Sequence, residues 1–145
     1  MLVISVSAQS DNTPPDVKSI TFSPDTINTT ISDDTLSVTM RITDDISGVK
    51  YAYLYFAPIN KNSPTVLFDY SHSGNITDTT VTLEGIFPKY TTSGAWRTIY
   101  IYLKDEVGNS QYIYTDSLEA RGFKTTLHVI SNEDVTPPDV KSITF

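Results

Sequence analysis

The chain has 145 residues, no cysteine and a formal charge of −7. Without a thiol there is no disulfide framework, thiolate metal site or cysteine nucleophile, and the negative charge repels nucleic-acid phosphates and anionic lipid surfaces. No run of 18 apolar residues is present to insert into a membrane as a helix, so cations are the natural small ligands and neither nucleic acid nor bilayer is an expected partner.

Two readings fit residues 1–10. Residues 2–7 alternate apolar and polar, and Ile4 and Val6 fall on Leu127 and Val129 when the repeated stretch described next is superposed; they then form the closing strand of a preceding repeat. The apolar run ending at Ala8 before Gln9 equally suits a signal-peptide remnant, although the basic start is missing. Either reading puts the chain outside the cytoplasm or in a surface array.

The next stretch organises the rest. Thr13-Pro14-Pro15-Asp16-Val17-Lys18-Ser19-Ile20-Thr21-Phe22 returns unchanged as residues 136–145, 123 residues later. That spacing is far beyond a solenoid period of roughly 20–50 residues and is the size of a domain. Residues 11–135 therefore read as one repeat, and residues 136–145 as the first strand of the next.

Within the repeat, short alternating segments rich in Thr, Ser, Val, Ile and Tyr lie between clusters of Gly, Pro, Asn and Asp, which predicts an all-β, antiparallel sandwich. The two prolines stiffen the entry to a first strand in which Val17, Ser19 and Thr21 alternate with Lys18, Ile20 and Phe22. A short edge segment is expected around Ile27 to Ile31. The clearest strand follows, with Leu36, Val38, Met40 and Ile42 on one face.

After the turn from Thr43 to Gly48, a strand over residues 49–58 sets Ala52, Leu54 and Phe56 against Tyr51, Tyr53 and Tyr55; the first set is expected inside and the tyrosines partly wet. A loop at 60–64, an edge strand at 65–70, another loop and a strand at 79–84 come next. In residues 96–104, Ile99, Ile101 and Leu103 share a face while Trp96 has the opposite parity, so a bulge near Thr98 is expected to bring Trp96 into the core. Asp116-Ser117-Leu118-Glu119 reads as a capping box and Gly122 as a stop, predicting one short helix over 116–121. Residues 124–130 close the repeat.

Several of these residues, in this order, resemble the tandem immunoglobulin-like repeats of bacterial secreted and cell-surface proteins, adhesins among them. They are Thr13-Pro14-Pro15, Ile42-Thr43-Asp44-Asp45-Ile46-Ser47-Gly48-Val49, Pro88 with Tyr90, Gly94 and Trp96, Leu103-Lys104-Asp105-Glu106-Val107-Gly108-Asn109, and Gly122-Phe123. The resemblance implies an extracellular spacer or adhesive module without an activity of its own. Its partners would be neighbouring identical repeats, joined covalently or by strand addition, and a surface glycan or protein receptor.

In such a sandwich the first strand begins at the pole where the second ends. Asp11, Asp16, Asp44, Asp45, Asp105 and Asn109, with Glu106 nearby, are therefore expected to gather there, an oxygen-rich group that suits Ca2+ at an inter-repeat junction. The plainer account of the same residues is turn chemistry, in which carboxylates accept local backbone N–H groups. Catalysis has no visible site: His72 and His128 stand beside no nucleophile elbow, and no acid-base pair can be singled out among 17 carboxylates. The remaining candidate is a strip formed by Tyr51, Tyr53, Tyr55, Tyr100 and Tyr102, which suits either a carbohydrate-binding accessory module of a secreted enzyme or plain cross-strand pairing.

Overall fold

The computed structural model describes residues 9–59 and 65–145; residues 1–8 and the loop expected at 60–64 lie outside the described residues. The fold is all-β, with two sheets packed face to face and one short helix. The strands are β1 (Asp16–Ser23), β2 (Thr26–Asn28), β3 (Asp34–Thr43), β4 (Val49–Pro58), β5 (Val66–Ser71), β6 (Asp78–Phe87), β7 (Gly94–Asp105), β8 (Ser110–Tyr114) and β9 (Thr126–Ile130), with α1 (Thr115–Ala120) between the last two. One sheet has the order β1-β3-β6; the other has the order β2-β9-β7-β4-β5, with β8 also paired to β7.

Strict alternation in β3 fixes its register. Leu36, Val38, Met40 and Ile42 are fully buried, and each such side chain withdrawn from water contributes about 1.5–3 kcal/mol. They meet Ala52, Leu54 and Phe56 of β4 in the core, while Tyr51, Tyr53 and Tyr55 on the other face of β4 stay half-buried. Aromatic edges lock the sheets together: Phe22 meets Phe56 at 5.4 Å and Phe87 meets Trp96 at 5.0 Å between ring centroids. Gly85 of β6 lies against the Phe68 ring, leaving no room for a Cβ.

Three register irregularities rewrite simple alternation. One, between Val49 and Tyr51 of β4, leaves Lys50 over opposite Asp105 and Lys104 of β7 and puts Val49 in the core. In β1, Val17 pairs with Ile42 and Ser19 with Arg41, so Lys18 is an extra residue. Val17 thereby joins Ile20 and Phe22 in the core, not the face of Ser19 and Thr21 that unbroken period-two reading assigns it. In β7, Tyr55 faces Tyr100 and Phe56 faces Thr98, leaving Ile99 over. This bulge carries Trp96 inward, as its parity required; Trp96 is buried and its indole N–H donates to the Thr92 carbonyl at 2.8 Å. The bulged Ile99 is only half-buried and does not share the face of Ile101 and Leu103 in full.

The helix starts one residue before the expected capping box, and no side chain caps it. Thr115 turns its hydroxyl to the Thr98 and Ile99 carbonyls exposed by the β7 bulge, and Glu119 accepts from the Thr125 hydroxyl at 2.7 Å instead of reaching back to the helix start. Gly122, at φ +77°, ends the helix as expected.

β1 runs from one pole of the molecule to the other, since Asp16 pairs with Thr43 and Ser23 with Ser37. β9 ends at the second pole, where Ile130 lies beside Asn28 in a parallel pair and its carbonyl accepts from the Thr29 amide. Residues 136–145 form no strand, and Val140, Ile143 and Phe145 are exposed.

Candidate functional site

The pole where β1 begins is built from the chain segment entering it and two loops. Asp44 opens the β3–β4 loop and accepts from the Gly48 amide at 2.7 Å and the Ile46 amide at 3.3 Å through Oδ2. Gly48 is required here: its φ is +95°, and a Cβ would stand 2.6 Å from the Ile76 nitrogen. In the β7–β8 loop Asp105 is fully buried. It accepts from the amides of Gly108 at 2.6 Å and Asn109 at 2.7 Å, and from the Asn109 side chain at 2.6 Å.

Asp11 clasps both loops. Its Oδ2 accepts from the Ser47 amide at 2.9 Å and its Oδ1 from Asn109 Nδ2 at 3.3 Å and the Thr13 amide at 3.1 Å. Ser47, whose amide donates to it, holds the Asp11 carboxyl below its ordinary range; burial opposes this, and the Thr13 amide reinforces it. Thr13 Oγ1 donates to Asp45 Oδ2 at 2.5 Å, and Gln111 of β8 donates to the Pro15 carbonyl at 2.6 Å. The entering chain is thus tied to the β3–β4 and β7–β8 loops and to β8 before its first strand begins.

Of the six residues expected as cation ligands, Asp11, Asp44 and Asp45 come together, with carboxylate oxygens within 4.8 Å of one another. Asp44 Oδ1 is buried and, among the described residues, accepts no hydrogen bond. Asp16 lines a cleft of about 240 Å³ together with Asp44 and Asp45, but its carboxylate is taken up by Arg121 at 2.9 Å and Lys18 at 2.9 Å. Burial pushes the Asp16 carboxyl up, and these two cations outweigh it, so the net direction is down. Asp105 is spent on its own turn. Asn109 touches Asp11 and Asp105 with its amide nitrogen, the donor end. Glu106 accepts from the Gly74 amide at 2.9 Å and pairs with Lys50 at 3.2 Å, and its carboxyl is lowered by these in that order.

The second candidate surface is larger than the sequence suggested. β8 adds Tyr112 and Tyr114 to the face that carries Tyr51, Tyr53, Tyr55, Tyr100 and Tyr102, and with Leu67 five of these rings line a shallow cavity of about 250 Å³. The Ser-Gln-Tyr-Ile-Tyr alternation directly after a Gly-Asn turn was the available signal for this strand. The rings face each other: Tyr53 stacks on Tyr102 at 5.7 Å and Tyr55 on Tyr100 at 5.4 Å, nearly parallel, and Tyr112 closes on Tyr102 at 4.8 Å. Burial, then Tyr112, Tyr55 and Tyr114, raise the Tyr100 hydroxyl above its ordinary value. Ring faces used in this way stabilise the sheet by about 0.2–1 kcal/mol per cross-strand pair, while Tyr112 and Tyr114 remain exposed.

Among known proteins, the sequence matches no family model and no curated protein.

Proposed function

We propose that the chain is a non-catalytic, immunoglobulin-like repeat module that stacks end to end in an extracellular stalk, adhesin or filament. The observation that carries this reading is the copy of β1 at residues 136–145, with its core-facing Val, Ile and Phe intact and, among the described residues, no strand paired to it. A segment that repeats β1 residue for residue without a partner strand suits the opening of another domain of the same kind. Joining of separate chains by insertion of this segment into a second copy's β1 place is the weaker route. Each chain then holds two identical segments for one place, and the tethered β1 competes at the high effective concentration of an intramolecular partner.

X-ray scattering from polypeptides of one, two and four periods tests the reading. The twelve-residue β7 spans about 40 Å at roughly 3.3 Å per residue, so the maximum dimension is expected to grow by about that much or more per period. A four-period polypeptide that collapses into a compact globule overturns it.

A calcium ion at the entry pole is a second reading, favoured by the grouping of Asp11, Asp44 and Asp45 and by the buried Asp44 Oδ1, which accepts no hydrogen bond among the described residues. Three carboxylates held together repel one another, and a hard divalent cation relieves both that repulsion and the unmet oxygen. Asp11, Asp44 and Asp45 would hold it, with water completing the shell. An ion bound to the folded state alone stabilises by about 2.7 kcal/mol at a hundredfold excess over Kd.

A further inference from the structure

The identity between the two copies begins earlier than the prolines. Asp134 stands 123 residues after Asp11, and from these aspartates to Phe22 and Phe145 only Asn12 and Val135 differ. The local geometry is copied as well: Asp134 Oδ1 accepts from the Thr136 amide at 3.0 Å, as Asp11 Oδ1 does from Thr13 at 3.1 Å. Lys141 pairs with Asp139 at 2.6 Å as Lys18 does with Asp16 at 2.9 Å. Asp134 therefore carries the carboxylate that, one period earlier, clasps the Ser47 amide and the Asn109 side chain.

The residue just before it is held by the other side. Glu133 Oε1 accepts from both the amide and the hydroxyl of Ser93, at 2.7 and 2.6 Å, and Ser93 immediately precedes β7 at the pole where β9 ends. We propose that Glu133 and Asp134 form a junction without a free linker, Glu133 fastened to this module and Asp134 to the entry loops of the next. This rests on the tandem reading above.

Neighbouring Cα atoms across a trans peptide are about 3.8 Å apart, so the two fastenings bring the exit pole of one module into contact with the entry pole of the following one. On the far side, Pro137 and Pro138 restrict the backbone before the next strand. The partner surface is thus the β3–β4 and β7–β8 loops of a second copy, and the modules are expected to move as one body.

The test is a two-module polypeptide in which residues 9–135 run directly into residues 13–135, so that Asp134 takes the place of Asp11 in the second module. Nitrogen-15 relaxation is measured on both modules, together with amide protection of the second module's first strand. The expected result is one common tumbling time. Inserting Gly-Ser-Gly-Ser between Glu133 and Asp134 keeps both fastenings but separates them, and is expected to abolish common tumbling, as is Glu133→Ala combined with Ser93→Ala. Two folded modules that tumble independently in the uninterrupted polypeptide overturn the rigid junction and leave the tandem reading standing. A second module whose first strand stays unprotected overturns the tandem reading itself.

Discussion

One decapeptide occurs twice in this molecule with two outcomes. In its first copy Ile20 is 7% exposed and the segment is a paired strand; in its second the equivalent Ile143 is 71% exposed and no strand forms. Composition, propensity and alternation are the same in both, so none of them makes the strand. What differs is the partner. β1 has the backbone of β3 to pair with, Phe56 to meet Phe22, and Arg121 to hold Asp16 and the Val17 carbonyl. β-propensity here expresses fitness for a half-buried pleated place, not a local preference.

The largest expected way to sharpen that contrast is one substitution made in each copy. Phe22→Ala is expected to cost about 3–5 kcal/mol in denaturant unfolding, whereas Phe145→Ala should stay within about 0.5 kcal/mol of the unmodified chain. Equal losses would break the comparison, because they would mean that the second copy is also docked. Next comes calcium. Thermal unfolding in millimolar calcium against a chelator is expected to show a raised Tm that Asp11→Asn removes and Asp134→Asn leaves in place, since only Asp11 stands beside Asp44 and Asp45. A Tm indifferent to calcium ends the cation reading.

The smallest effect concerns pH. The folded carboxyl of Asp16 is lowered, so its contribution is complete above the unfolded value of about 3.9 and is lost as pH falls through the lower folded value. Urea midpoints measured between about pH 5 and pH 2 should therefore decline less steeply in Asp16→Asn than in the unmodified chain. The same change at Asp139, which pairs with Lys141 in the exposed copy, should alter the curve less.

How much was legible beforehand follows from the same distinction. Wherever one face is buried against a sheet, alternation told inside from outside: β3 and residues 51–56 of β4 read correctly, although the surplus Lys50 that brings Val49 inside carried no signal, and even the Trp96 bulge was signalled by a parity break in an otherwise regular strand. The extra residue in β1 was not, because Lys18 and Ser19 are both plausible outward residues and only the pairing with Ile42 and Arg41 reveals which one is surplus. The capping box failed because Thr115 and Glu119 found partners distant from the helix start, in the β7 bulge and Thr125. The parallel pairing of β2 with β9 joins residues about a hundred positions apart, which no local pattern encodes. At the entry pole the sequence located the loops, but not which carboxylates would be taken by Arg121 or by their own turns.

The placement of the entry and exit segments at opposite poles has a mechanical consequence. Tension applied through residues 11–15 at one pole and residues 131–133 at the other pulls β1 along its own axis, away from the pole toward which it runs. Hydrogen bonds in an antiparallel ladder lie perpendicular to the strands, so such a pull loads every pair from Asp16–Thr43 to Ser23–Ser37 at once instead of unzipping them in succession. The first sheet thereby resists stretching as a lap joint does, failing only when the whole overlap shears.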